Sequence, residues 1–282
     1  AMDPEKSVWI EGHDLARQYL QQIMGNRVTV RSYFYADTFQ KAMDIMEQAV
    51  EDGAEVVFTT TPQLSRATLR AAVLYPKVRF LNCSVDIPYS SIRTYYARMY
   101  EAKFITGAIA GAMANDDKIG YIGFSPIFGE PASINAFALG AQMTNPRARI
   151  LLRWSCQAGD HHQEFLRQGI SVISNRDLPA QERNHLNFCT AGTYMRDEDG
   201  NLQPLASPIL LWERVYENVL RSILAGTWDK HHAHRAVNYW WGMNSGVVDV
   251  ELAENLPDGI RSLVKMLRYG LRTGAIDPFR RR

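Results

Sequence analysis

The first third of the chain alternates helical and strand-like hydrophobic patterns. Stretches with apolar residues at helical spacing are separated by short, mostly apolar runs. Short connections between such elements predict a parallel sheet with helices on both faces. A lobe of this kind normally opens with a strand, but here a helical stretch comes first, so the first strand of lobe 1 is predicted to be missing. The predicted helices cover residues 13–24, 38–51 and 63–75, and the predicted strands cover 28–35, 54–58, 78–83 and 93–99.

A helix over residues 101–114 is rich in small side chains, with Gly107 and Gly111 one turn apart. Glycine costs about 1 kcal/mol relative to alanine inside a helix, so this pair predicts close packing against another backbone. A polar turn follows at 115–118, and the strand and helix pattern then resumes. We therefore predict an α/β protein of two lobes, each a parallel sheet flanked by helices. Lobe 1 covers residues 1–116 and 237–282, and lobe 2 covers residues 117–236.

Composition narrows the classes of function. The chain has 282 residues, of which 46% are hydrophobic and 22% charged, and its formal net charge is +1. This balance gives no electrostatic reason to expect direct nucleic-acid binding. No apolar run approaches the roughly 20 residues of a membrane span. The start of the chain shows no hydrophobic signal region, so the sequence is either cytoplasmic or trimmed of an export signal.

Motifs for catalysis, cofactors and metals are absent. The sequence contains no GxSxG, Walker, GxGxxG or HExxH pattern. Its three cysteines are far apart, and its clustered histidines lie in polar stretches without accompanying cysteines. We therefore expect a protein that is not an enzyme, holds no cofactor or metal, and keeps its thiols reduced.

Ligands of open parallel sheets bind beyond the carboxyl ends of the strands, so the residues that follow each strand are the candidates. They combine aromatic rings with hydroxyl, amide and carboxylate groups, which suits a flat polar heterocycle. A tryptophan there could instead pack in the core, and Asp86 could instead fix a turn. Asp177 could belong to a salt-bridged turn. The candidates are Thr60, Thr61, Asp86, Phe124, Trp154, Asp177, Trp212, Trp241 and Asn244.

Several segments together resemble the basic membrane protein (BMP) family of PnrA-like substrate-binding proteins. The resemblance covers nearly all of residues 9–279. It implies a type I periplasmic-binding-protein fold with three crossovers, and a purine nucleoside or nucleobase bound in the cleft between the lobes without catalysis. The segments that carry it are residues 96–113, 118–122, 134–141, 145–146, 212–216, 226–228, 242–246 and 274–279.

The resemblance also implies site residues. The opening loop of the family supplies ring stacking and polar contacts, and it corresponds here to residues 9–13. Trp9 is the stacking candidate, with Glu11 and His13 beside it. Nucleoside binders of the family carry a lysine where this chain has Asn244, so the ligand stays open between a nucleobase, a nucleoside and another small heterocycle.

The closest resemblance is to cytoplasmic Gram-positive proteins in which a BMP-like module follows a ParB-like N-terminal segment. It implies a cytoplasmic sensor that closes by a hinge motion on a purine-like ligand, with that ParB-like segment as a possible partner. Two alternatives stay open. One is an exported ABC-transporter lipoprotein whose signal has been removed, and the other is a protein-interaction domain with a vestigial cleft.

Overall fold

The computed structural model describes residues 8–85, 89–126, 129–175, 192–197, 199–228 and 236–280. The chain divides into two compact units. Unit 1 comprises Ala1–Ala97 and Leu211–Trp241, and unit 2 comprises Arg98–Leu210 and Gly242–Arg282.

Unit 1 contains a sheet of four parallel strands, as predicted. Its strands are β1 (Val56–Thr59), β2 (Arg79–Cys83), β3 (Arg93–Ala97) and β9 (Val237–Trp241), in the order β1-β2-β3-β9. Its helices are α1 (Val8–Met24), α2 (Phe39–Glu51), α3 (Ser65–Leu74) and α7 (Trp212–Leu224). The described chain opens with a helix rather than a strand, in agreement with the prediction, and α1 and α2 both precede the first strand.

Helices cover both faces of this sheet. Val57 of β1 packs against the hydrophobic cluster formed with α2 and α3, which includes Met46 and Phe80. The next residue, Phe58, places its ring 4.6 Å from that of Tyr216 on α7. Successive strand residues point to opposite faces, so α2 and α3 lie on one side and α7 on the other.

The strand predicted over residues 28–35 is wrong, because these residues join no sheet. Side chains satisfy part of their backbone instead. Gln21 on α1 donates to the carbonyl of Val28 at 3.2 Å and accepts from the amide of Val30 at 2.9 Å. Farther along, Tyr33 donates a hydrogen bond to Asp52. An alternating pattern is compatible with an extended segment, but it does not supply the neighbouring strand that a sheet requires.

Unit 2 contains a sheet of six strands in the order β10-β8-β7-β6-β4-β5. β4, β6 and β5 are parallel, as predicted, and the sheet continues through three antiparallel strands. β7 and β8 pair as an antiparallel hairpin, with Gly200 in the turn between them. The strands are β4 (Lys118–Gly123), β5 (Arg149–Trp154), β6 (Val172–Ser174), β7 (Thr193–Arg196), β8 (Leu202–Leu210) and β10 (Val248–Leu252).

The helices of unit 2 are α4 (Met99–Met113), α5 (Glu130–Thr144), α6 (His161–Arg167) and α8 (Asp258–Thr273). Glycines let α4 and α5 approach closely, which confirms the predicted close packing. A Cβ atom on Gly107 would lie closer than 3.0 Å to the carbonyl oxygen of Phe137 on α5. A Cβ atom on Gly111 would lie equally close to the carbonyl oxygen of Ala141. A Cβ atom on Gly140 of α5 would lie equally close to the carbonyl oxygen of Phe104 on α4.

The boundaries of the two compact units differ from those of the predicted lobes. Lobe 1 was predicted to cover residues 1–116 and 237–282, and lobe 2 was predicted to cover residues 117–236. Helix α4 belongs to unit 2 because it packs along α5 and against β8 and β10. Helix α7 belongs to unit 1 because it packs against α1. The pattern of helices and strands marks elements, but it does not show which neighbours each helix packs against.

Among the described helices, none is both long enough and apolar enough to cross a lipid bilayer.

Candidate functional site

The predicted ligand residues follow the carboxyl ends of parallel strands in both units. Thr60 and Thr61 follow β1, Phe124 follows β4, and Trp154 is the last residue of β5. Asp86 and Asp177 lie outside the described residues.

In unit 1, a buried amide fixes the loop after β1. Nδ2 of Asn82 donates to Oγ1 of Thr59 at 2.7 Å and to the carbonyl of Thr61 at 2.9 Å. Its Oδ1 accepts a hydrogen bond from the hydroxyl of Ser84 at 2.5 Å. Asn82 therefore ties the end of β2 to the loop that carries both candidate threonines. Sequence reasoning missed it, although a lone amide in an apolar strand was the available signal.

Replacing Asn82 with alanine is expected to lower the free energy of unfolding by about 1–3 kcal/mol, because buried hydroxyl and carbonyl partners lose their hydrogen bonds. Urea denaturation measures this change. Asn26→Ala, at an exposed position, is the matched control and should stay within about 0.5 kcal/mol of the parent. An unchanged midpoint for Asn82→Ala would show that the network does not hold the loop.

An aromatic cluster packs beneath the same strand ends. The His13 ring stacks on Trp212 with centroids 4.3 Å apart and an interplanar angle of 22°. The Trp9 ring meets Trp212 edge-on at 5.1 Å, and its Nε1 donates to the carbonyl of Thr60 at 2.7 Å. Trp9 is half-buried, whereas Trp212 is only 2% exposed. The structure thus brings four predicted site residues together, with Trp212 in the core and Trp9 nearer the surface.

Burial controls the charge of His13. Its Nδ1 lies 2.6 Å from the hydroxyl oxygen of Tyr216, and its Nε2 has no hydrogen-bond partner in the described structure. Desolvation lowers the pKa of His13 from 6.5 to about 3, so the ring is neutral at neutral pH. Desolvation likewise raises the pKa of Tyr216 above its ordinary value. The cluster is therefore uncharged and suited to packing against flat aromatic groups.

The predicted opening loop at residues 9–13 is wrong, because α1 already begins at Val8. The buried face of α1 extends to its first turn through Ile10 and His13, which lie one turn apart. Glu11 is half-buried in the same turn. The helical spacing extends a few residues farther toward the N-terminus than the resemblance implied.

In unit 2, the loops after β4 and β5 are joined. Ser155 donates from its amide to the carbonyl of Gly123 at 2.8 Å and from its hydroxyl to that of Phe124 at 3.1 Å. Gly123 is needed here because a Cβ atom would lie 2.9 Å from the ring of Trp154. The Trp154 side chain is half-buried, and the Phe124 side chain is 68% exposed. Phe124 thus offers an aromatic face to solvent at a strand end.

Of the last two candidates, Trp241 ends β9 and Asn244 follows it. The Trp241 ring stacks on Tyr239 at 4.7 Å within unit 1. Asn244 lies in unit 2, exposed in the short 3₁₀ helix Met243–Ser245.

A buried carboxylate, that of Glu101 on α4, fixes the turn that carries Asn244. Glu101 accepts a hydrogen bond from the amide of Met243 at 2.7 Å, and burial raises the pKa of this carboxyl group. Sequence reasoning missed Glu101, since its partner is 142 residues away.

The described residues contain no group of three or more His, Cys, Asp or Glu side chains that could hold a metal ion. Cys83 and Cys156 are free thiols. Cys83 is buried in β2, whereas Cys156 is exposed, because it lies in the turn after β5. Cys189 and the histidines at 231–234 lie outside the described residues.

Comparison with known sequences identifies relatives. The chain is 25% identical over 283 aligned positions to a purine-binding protein of Brucella abortus (strain 2308), covering 96% of this chain and 79% of that protein. It is 28% identical to a putative ABC transporter glucose-binding protein of Haloferax volcanii, covering 85% of this chain and 62% of that protein. The chain therefore spans less than two thirds of the Haloferax protein.

Solved structures share the fold at low sequence identity. A solute-binding protein of an ABC transporter system from Conexibacter woesei superposes with a TM-score of 0.71 at 16% identity, covering 98% of this chain and 95% of that one. A transcriptional activator of the comK gene from Bacillus halodurans gives 0.75 at 16% identity, covering 96% of both chains. The fold is that of type I periplasmic-binding-protein-like solute-binding proteins, as predicted.

The sequence model of a substrate-binding family also matches residues 5–165, which is more than half of the chain. This match agrees with the predicted resemblance and with the fold. The chain belongs to the Bmp family, the PnrA-like substrate-binding proteins of ABC transporters.

Proposed function

We propose that this chain is a binding module for a purine base or nucleoside. The observation that carries the proposal is the match to a purine-binding protein along 96% of this chain. The chemistry of the strand ends supports it, because aromatic faces and hydroxyl groups suit a flat heterocycle with polar edges.

The aromatic residues divide into two roles in this proposal. In unit 1 the half-buried Trp9 offers a ring to a ligand, and in unit 2 the half-buried Trp154 and the exposed Phe124 do so. Trp212 is buried and its ring is already stacked on His13, so it packs against Trp9 and holds that ring in place. The core-packing alternative for Trp212 is therefore favoured over direct stacking on a ligand.

The proposed role is sensing in the cytoplasm, without catalysis. The resemblance to cytoplasmic proteins with a ParB-like N-terminal segment supports this role, and that segment would be the partner of the module. The fold itself is shared by a transport receptor and by a transcriptional activator, so it favours neither role. Closure of the module on its ligand stays a prediction.

The proposed cytoplasmic location is tested separately, by the gene sequence. The coding sequence upstream of this region should encode a ParB-like segment. A lipoprotein signal there would make the chain an exported transport receptor instead.

Absence of catalysis is tested with inosine and adenosine. Long incubation with the protein should release no free base. Accumulation of base would make the chain a nucleoside-cleaving enzyme.

Thermal denaturation with a ligand panel tests the binding proposal. The panel contains purine and pyrimidine bases, their nucleosides and nucleotides, and glucose, because one relative is described as a putative glucose-binding protein. A purine at 100 times its dissociation constant should stabilise the fold by about 2.7 kcal/mol, which corresponds to a rise in melting temperature of roughly 5 °C. A shift in melting temperature with glucose alone would show that the ligand is a sugar rather than a purine. No shift across the panel would favour an interaction domain with a vestigial cleft.

Replacing Phe124 with alanine tests the strand-end site. The side chain is exposed, so its loss should leave stability unchanged while it weakens purine binding. Stacking of a base on an aromatic ring contributes about 1–3 kcal/mol, so the dissociation constant should rise roughly fivefold to 150-fold. Tyr269→Ala, which removes a ring that is 71% exposed on α8, is the control. Equal purine affinities for the two variants would show that Phe124 does not contact the ligand.

A further inference from the structure

Helices α2 and α3 form an exposed face of unit 1, on the side of its sheet away from α7. They lead into the amino ends of the parallel neighbours β1 and β2, so they run in the same direction. They pack side by side, and Cζ of Arg66 at the start of α3 lies 5.5 Å from the centroid of the Phe39 ring at the start of α2. Because both helices rise equally per residue, Arg70 lies level with Asp44 one turn farther along.

The two helices carry opposite charges on this face. On α2 three exposed carboxylates follow one another at intervals of three and four residues, so they form one stripe of Asp44, Glu47 and Glu51. On α3 the exposed guanidinium groups of Arg66 and Arg70 form a stripe for the same reason. An acidic stripe and a basic stripe therefore lie side by side.

Large apolar side chains are exposed among these charges. Val73 continues the stripe of Arg70 by one turn along α3, and it is 60% exposed. Leu74 beside it and Phe39 at the other end of the face are each 48% exposed. A single exposed apolar residue needs no explanation, but a group of them framed by charges marks an interaction surface.

A second copy of the chain carries the surface that matches this face. A two-fold axis parallel to the helices places α2 of one copy opposite α3 of the other, with both helices pointing the same way. Arg70 then lies opposite Asp44 of the second copy, and Asp44 lies opposite Arg70 of the second copy. An axis perpendicular to the helices would instead set the two α2 helices against each other, with their carboxylates opposed.

We infer that the α2–α3 face of unit 1 binds a second copy of this chain in a two-fold dimer. The paired stripes favour a second copy over a partner of one charge, because one of the two helices would repel an acidic or a basic partner.

The size of the face sets the strength of the dimer. The helices have 13 and 10 residues, so they are about 20 and 15 Å long, and each is about 10 Å wide. A contact of this size lies at the low end of protein interfaces. The dimer is therefore reversible, with a dissociation constant in the micromolar range.

Sedimentation equilibrium of charge-reversed variants tests the dimer. The parent should dimerise at about 100 µM protein. Dimerisation should weaken as salt rises from about 50 to about 500 mM, because salt screens exposed ion pairs. Arg70→Glu and Asp44→Arg should each raise the dissociation constant at least about tenfold, because like charges then face each other at two symmetric places. The double variant Arg70→Glu/Asp44→Arg restores opposite charges, so its dissociation constant should return to within about threefold of the parent value.

Two controls make the test specific. Lys265→Glu reverses an exposed charge on α8 in unit 2 and should leave dimerisation unchanged. The urea midpoints of all variants, measured at about 1 µM protein, should equal that of the parent because the changed side chains are exposed.

Three results would overturn the inference. The first is a parent that stays monomeric at about 100 µM. The second is a dimer whose dissociation constant neither Arg70→Glu nor Asp44→Arg changes. The third is a double variant that dimerises no more tightly than the single variants, which would show that the two residues do not face each other.

Discussion

Replacing Gly107 with alanine is expected to lower the free energy of unfolding by about 1–3 kcal/mol, the usual cost of overpacking a core. The new Cβ atom would meet the carbonyl oxygen of Phe137 at less than 3.0 Å. That oxygen belongs to the backbone of α5, so no side-chain rotation can relieve the contact, and α4 and α5 must separate. The separation should outweigh the roughly 1 kcal/mol that alanine gains over glycine in a helix.

Gly259→Ala provides the matched control. Gly259 lies in the first turn of α8, and a Cβ atom there would have no neighbour within 4 Å. This change should leave stability equal or raise it by up to about 1 kcal/mol. Urea denaturation of both variants measures the difference. Equal stabilities would contradict the close approach of α4 and α5.

The stability of unit 1 is expected to fall as the pH drops below 6.5, because His13 is buried as a neutral ring. Its pKa is about 3 in the folded chain and 6.5 as a free side chain. Between these values the unfolded chain binds one proton more than the folded chain, so low pH favours unfolding. The contribution of His13 is complete above pH 6.5 and is lost at about 1.4 kcal/mol per pH unit below it.

His13→Phe separates this effect from other titrations. Phenylalanine keeps a ring against Trp212 but cannot take up a proton. The variant loses the contact to Tyr216 at every pH, so its stability should be lower near pH 7. Its loss of stability between pH 6.5 and 4.5 should be smaller than that of the parent, as measured by urea denaturation at each pH. Parallel pH profiles would show that His13 is accessible to protons in the folded state.

Elements defined by local pattern were predicted well. The apolar runs at 54–58, 78–83 and 93–99 became β1, β2 and β3, because a parallel sheet covered on both faces requires such runs. The small residues around Gly107 predicted a close helix contact, and α5 supplies it. The strand predicted over residues 28–35 was wrong. A strand needs a neighbouring strand, and an alternating pattern contains no information about one.

Residues whose roles depend on tertiary contacts were not predicted. A tryptophan that follows a strand can stack on a ligand or fill a core, and only the His13 ring on its face decides for Trp212. Asn82 and Glu101 act through partners that are distant in sequence. The opposite charges of α2 and α3 form one face only once the two helices are packed together.

Equilibrium dialysis against labelled adenosine tests the central claim most directly. We expect saturable binding of one adenosine per chain, displaced by unlabelled purine nucleosides and weakened by Phe124→Ala. Glucose and pyrimidine nucleosides should not displace it. Absence of saturable binding by folded protein at millimolar adenosine and adenine would contradict the claim that this chain binds purines.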